Sequence, residues 1–302
     1  MLGRTLTLAG ALGAMAMAPS AARADVAQVE RAFLERTAIA AADAACNLFS
    51  EGERLALRSG LYQAEGELLR ANYTPARLRS LGEEVRAHAR ALGCDHPSVL
   101  QVAGTIRSSY RQFAKTTFLE YAGGGSTWGV SRSEHDAWAI MQTLEPGGVI
   151  IGMRRGAKFD DLKFAIGVPA TGRPPSAVKM FLRDTNKMRD AWLGPIFGAA
   201  TLAPAPRSIS RPEWAAEMEE DDNSVGDWFY IYSFSASAIE RLELLDPREA
   251  VQIELTPSPL EKNAATVVIT FEVGDLRAAR AFALIPKPAG AGLAAAPPAT
   301  GH

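Results

Sequence analysis

The chain is short of the residues that most often do chemistry. Of its 302 residues only two are cysteine and four histidine. It has no H-E-x-x-H pair and no C-x-x-C knuckle, so a dedicated zinc site is not expected. A glycine-rich phosphate loop is missing as well. Gly123 to Gly129 lacks the G-x-x-x-x-G-K-[ST] order, and the sequence pattern sets no strand ahead of it. Neither a nucleotide nor any other cofactor is therefore expected. Excess charge of one sign is absent too, with 32 basic and 34 acidic residues and a formal net charge of -2. That balance excludes the basic footprint of a nucleic-acid-binding protein. No internal repeat of roughly 20 to 50 residues is visible.

Long apolar runs are also lacking, except for a short one at the start. Arg4 is followed by an apolar stretch from Leu6 to Ala18 and then by Ala22-Arg23-Ala24. That order of basic residue, apolar core and small residues reads as a cleaved bacterial signal peptide over residues 1–24. The run is too short to span a bilayer, and no later one reaches about 18 residues, so the mature chain is not expected to span a membrane. The expected location is periplasmic or secreted. An even pair of cysteines in an exported chain implies a disulfide between Cys46 and Cys94.

Residues 25–121 carry helical periodicity in four segments. Asp25 caps the first, which runs from Val26 to Phe49. Ser50 and Glu53 form a capping box for the second, through Leu68. Thr74-Pro75 opens the third, which Gly93 ends, and Pro97 opens the fourth. In an antiparallel bundle the first and third helices point the same way, which brings Cys46 and Cys94 to one pole.

Gly123-Gly124-Gly125-Ser126 marks a break, and residues 122–126 read as a linker. From 127 to 286 the pattern is that of strands, at Thr127 to Arg132, Ala137 to Thr143, Val149 to Arg155, Leu162 to Val168, Ala177 to Arg183, Trp228 to Phe234, Ala250 to Thr256 and Ala265 to Val273. Ser237 and Glu240 suit a short helix through Leu245, and Arg277 to Ile285 fits either strand or helix. Residues 287–302, rich in Ala, Gly and Pro, have too little to bury and read as a disordered tail. The expected class is α+β: a four-helix antiparallel bundle followed by a mainly antiparallel sandwich-like or barrel-like domain.

Several clusters carry chemical potential. In Ser131-Arg132-Ser133-Glu134-His135-Asp136, a histidine beside carboxylates suits general base work, although a hairpin turn uses the same residue types. Glu220, Asp221 and Asp222, within an acidic run from Glu217, offer oxygen ligands for calcium without EF-hand spacing, and such a run also suits a solvated loop. Ser176 to Lys179 matches S-x-x-K, but it lies in a strand pattern rather than on a helix face. Arg154, Arg155 and Lys158, with Lys179, Arg183, Lys187 and Arg189, make a basic section that either binds an anion or pairs with the acidic residues beyond Thr201. Tyr230 and Tyr232 alternate on one strand and offer an aromatic partner surface.

These features read as an exported, non-enzymatic envelope protein with a binding or scaffolding role. Its partner would be another envelope protein, a glycan or another anionic ligand. The enzymatic alternative is an extracytoplasmic hydrolase built on Glu134, His135 and Asp136, with Ser131 or Ser133 as a neighbour. It requires those side chains to converge in a cleft.

Overall fold

The computed structural model describes residues 25–144, 147–156, 161–194, 202–222 and 228–286. The expected signal peptide and tail lie outside the described residues, as do Lys158 and the stretch after Asp222. Four helices come first: α1 (Val26–Cys46), α2 (Glu51–Arg70), α3 (Pro75–Leu92) and α4 (Pro97–Phe113). Their ends are set as the sequence dictates. The Asp25 side chain accepts from the backbone of Ala27, Thr74 from Arg77, and Ser50 and Glu53 close a reciprocal capping box. Asn47, in the left-handed region at φ 52°, ends α1 three residues short of the expected boundary. The Nδ1 atom of His96 caps α4 through the N–H of Ser98 at 3.3 Å. Cys46 and Cys94 form the expected disulfide.

Among the described residues, eleven strands follow in two antiparallel sheets. The larger sheet runs in the order β1 (Phe118–Ala122), β2 (Thr127–Ser131), β3 (Trp138–Leu144), β4 (Val149–Arg155), β5 (Leu162–Pro169), β9 (Trp228–Ser233) and β8 (Glu217–Asp222). The smaller runs β11 (Val267–Glu272), β10 (Ala250–Thr256), β6 (Ala177–Arg183) and β7 (Ser210–Trp214). Two short helices complete the fold, α5 (Ala236–Glu243) and α6 (Leu276–Ala283). The class is α+β, and the two sheets form a sandwich rather than a closed barrel. Strand alternation sends Trp128, Ile151, Phe164 and Ile166 of one sheet and Met180, Ile253 and Phe271 of the other into a common core. Phe271 lies 6.1 Å from Phe164 and 6.2 Å from Trp128, ring centre to ring centre, which joins the two layers.

Three strands depart from the sequence reading. β1 was expected as the end of the last helix, because Phe113 and Thr117 continue the spacing of Tyr110. Its Tyr121 is buried against α6 instead, and the strand pairs with β2. Gly123 to Ser126 are thus the turn of a hairpin rather than a linker, and a strand does precede the glycines. β7 contains Pro212, which a central strand would not tolerate but an edge strand does. The acidic run forms β8, an edge strand rather than a solvated loop. The ambiguous segment after Asp275 is helical. α5 starts after Ser235, two residues before the expected cap.

Helix α6 bridges the two halves. One side packs on β1 to β3 and the other on α2, so Leu55 and Ala56 of α2 share a core with the sandwich. Polar contacts fix this joint. Ser59 and Tyr121 share a buried hydrogen bond of 2.7 Å, and Arg248 donates to the carbonyl of Leu69 at 2.9 Å.

Candidate functional site

Most buried polar groups are bound into the framework. The Arg132 side chain is 1 % exposed and donates to the carbonyls of Ala114, Thr116, Ile285 and Pro286. These carbonyls lie at the C-terminal ends of α4 and α6, where the helix dipole is negative, and so replace a counter-ion. Arg183 and Glu249 form a bidentate buried pair at 2.7 and 2.8 Å. The carboxylate of Glu272 accepts the N–H groups of Gly124 at 2.9 Å and Gly125 at 2.5 Å, which holds the β1–β2 turn. Burial pushes the Asp275, Glu65 and Glu67 carboxyls above the usual range, all at the joint between α2 and α6.

The expected acid–base cluster sits on the turn between β2 and β3. Glu134, His135 and Asp136 are all exposed there. Ser131 donates to Asp136, and the backbone N–H of His135 donates to the Ser133 hydroxyl at 3.3 Å. Arg155 braces the turn from beneath through the carbonyls of Ser131 and Ser133, at 2.6 and 3.2 Å. Burial foremost lowers its pKa, and Asp136 and Glu134 act against that shift. These bonds are those of a structured turn.

The other sequence-selected residues are likewise engaged internally. The hydroxyls of Tyr230 and Tyr232 donate to the carbonyls of Gly172 and Pro175, at 2.9 and 2.6 Å, and pin the β5–β6 loop. Burial raises the Tyr232 phenol to about 12. Arg154 pairs with Glu219 and Asp221 and lies over the Trp138 ring, while Lys163 bonds Glu217 at 2.8 Å. The basic strands and the acidic edge strand therefore compensate one another across β9. Glu220 is exposed and Asp222 pairs with Trp228 in the ladder. Among the described residues no group of three or more His, Cys, Asp or Glu side chains is arranged to hold a metal. Ser176 and Lys179 are also apart in role, since the Ser176 hydroxyl donates to Pro257 and Lys179 stands over Trp214.

A small cavity lies among α1, α3 and α4, walled by Ile39, Ala42, Ala89, Leu92 and Val99 with Glu35 at its side. Its volume of about 20 Å³ is too small for a substrate.

Among the described residues, the outer face of the four-stranded sheet carries an exposed aromatic beside a cation. Its core-facing residues are Val178, Met180, Leu182, Val251, Ile253 and Leu255, so the alternate residues face outward. Register sets them in two rows across the strands: Val268, Glu254, Lys179 and Trp214, then Thr270, Gln252, Phe181 and Pro212. Trp214 is 56 % exposed, and the Lys179 ammonium stands 4.2 Å from its ring centre. Arg207 lies 3.1 Å over the Phe181 ring and pairs with Glu254. The face thus combines flat aromatic surface with cations held beside it.

The sequence separated Lys179 and Trp214 by a long interval and gave no sign that they are cross-strand neighbours. The unrecognised strand β7 was the missing link. Comparisons with protein-family models, curated proteins and solved structures returned no match to this chain.

Proposed function

We propose that the protein is an exported, non-enzymatic binding protein of the bacterial envelope, and that its ligand is an anionic glycan held on the outer face of the four-stranded sheet. The observation that carries this reading is the exposed Trp214 ring beside Lys179, next to Phe181 under Arg207. An aromatic ring offers an apolar platform for the face of a sugar, and the adjacent Lys179 ammonium favours carboxylate or sulfate substituents, Arg207 being paired with Glu254. The disulfide supports an oxidising compartment outside the cytoplasm, and the N-terminal sequence pattern supports export. No described helix is long and apolar enough to cross a membrane.

The hydrolase alternative has less support, because Glu134, His135 and Asp136 are exposed on the β2–β3 turn. The test is binding of the mature protein to immobilised uronic-acid polysaccharides, with neutral polysaccharides as the comparison. Trp214→Ala and Lys179→Ala are expected to weaken retention at least tenfold and Glu134→Gln to leave it unchanged. Equal retention by all variants, or cleavage of the polysaccharide that Glu134→Gln abolishes, overturns the reading.

A further inference from the structure

The sandwich has four edge strands, and one of them differs from the rest. β8 reads EMEEDD, β7 carries Arg211, Pro212 and Glu213, and β1 is five residues long with Glu120 exposed. Charges, proline and short length are the usual means of keeping a free sheet edge from pairing with another chain. β11 has none of them. From Ala264 to Phe271 the sequence AATVVITF holds no charged residue, no proline and no glycine, and it is rich in β-branched side chains. No described strand pairs with its outer side. Val267 and Val268 are 53 % and 52 % exposed, and Leu260 in the adjoining β10–β11 loop is 70 % exposed.

We infer that the β11 edge pairs with β11 of a second copy of this chain, making one continuous eight-stranded sheet across a two-fold axis. Charge decides the occupant. In an isologous antiparallel pair the central residue faces its own counterpart and each other residue faces its mirror position, so an edge that is acidic throughout, or centred on a charge, sets like charges opposite one another. Self-pairing of β8, or of β1 about its central Glu120, would bring carboxylates together, and in β7 Pro212 removes a ladder donor. Of the four edges β11 can meet itself without like charges opposed and without a proline in the ladder, and it carries no charge with which to select a foreign strand. Phe271 and Glu272 are buried, the latter beneath the β1–β2 turn, so the free stretch is Thr266 to Thr270. Its centre is Val268, which therefore faces Val268 of the second copy. So short a pairing buries less than an obligate interface does, and the association is a concentration-dependent equilibrium. It stands independently of the ligand reading.

The test is the molar mass of the mature wild-type protein by light scattering, from low concentration to about 100 µM, where small interfaces of this kind associate. The mass is expected to rise toward twice the monomer value. Val267→Lys, which puts a charge on the edge and leaves the outer face intact, is expected to remain monomeric with an unchanged far-ultraviolet spectrum and melting temperature. Val268→Cys is expected to give a covalent dimer on oxidation. A wild-type monomer throughout, a polydisperse aggregate, or a dimer that survives Val267→Lys without cross-linking through Val268→Cys overturns the proposal. Trp214→Ala leaves the dimer in place, so failure of glycan binding and failure of dimerisation are read separately.

Discussion

Arg70 on helix α2 and Asp275 at the start of helix α6 meet in a parallel two-bond pair, both contacts 2.9 Å, at a sequence separation of 205. The Asp275 side chain is 1 % exposed and Arg70 is 18 % exposed, so neither charge has water to fall back on. Gly66 makes room for this pair, since a Cβ there would run into the Asp275 carboxylate. Removing one partner leaves the other buried and uncompensated. Arg70→Met is expected to lower unfolding free energy by about 3 kcal/mol, measured by urea titration. The double variant Arg70→Met, Asp275→Leu should recover part of that loss.

Glu67, one turn before Arg70, gives this joint a pH dependence. Burial foremost, and then the neighbouring Asp275, raise its pKa above the ordinary value of 4.5. A carboxyl with a raised folded pKa favours the native state most below its unfolded pKa, and that advantage is lost as pH rises through the folded value. Glu67→Gln mimics the protonated form. It is expected to melt higher than wild type near about pH 7 and to lose that advantage below about pH 4. A lower melting temperature at neutral pH would show that the charged form is the stabilising one.

The Cys46–Cys94 bond closes a loop with a sequence separation of 48 at one pole of the helices. In the chain-entropy account a loop of that size contributes about 4 kcal/mol. Cys46→Ser with Cys94→Ser is expected to lower stability by that order, read as a shift of the urea midpoint at unchanged slope. The β-rich half should keep its near-ultraviolet signal from Trp128, which sits in the shared sandwich core.

Arg132 ties the ends of α4 and α6 together through backbone carbonyls alone. Arg132→Met leaves those buried carbonyls unpaired and is expected to cost about 3 kcal/mol or more. Arg132→Lys should rescue little, because one ammonium cannot span both helix ends as a planar guanidinium does. Amide exchange at Ala283 to Ile285 should quicken in both variants.

Much of this architecture was legible along the chain. Capping residues and prolines are local signals, so the starts of the four helices could be read directly at Asp25, Ser50, Thr74 and Pro97. The disulfide followed from the single pair of cysteines, and helix direction brought the two to one pole. Trp128, Phe164 and Met180 fell into their strands by alternation. Two of the three misread strands share a cause: Pro212 and the run from Glu217 to Asp222 look like loop, and only pairing with β6 and β9 makes them edges.

The candidate site was much less legible, since its residues acquire meaning through neighbours distant in sequence. His135 and Tyr232 stood out by type, yet one lies on an exposed turn and the other pins a loop. Lys179, Phe181, Arg207 and Trp214 became a group only when β6 and β7 paired.

By itself, the sequence determined the helices, most of the strands, the cystine and the balance of charge, because capping, alternation and composition act over a few residues. Tertiary structure alone decided which cations were free. Arg154 and Arg183 meet carboxylates 65 or more residues away, while Lys179 meets a tryptophan, and only the register of distant strands distinguishes these outcomes.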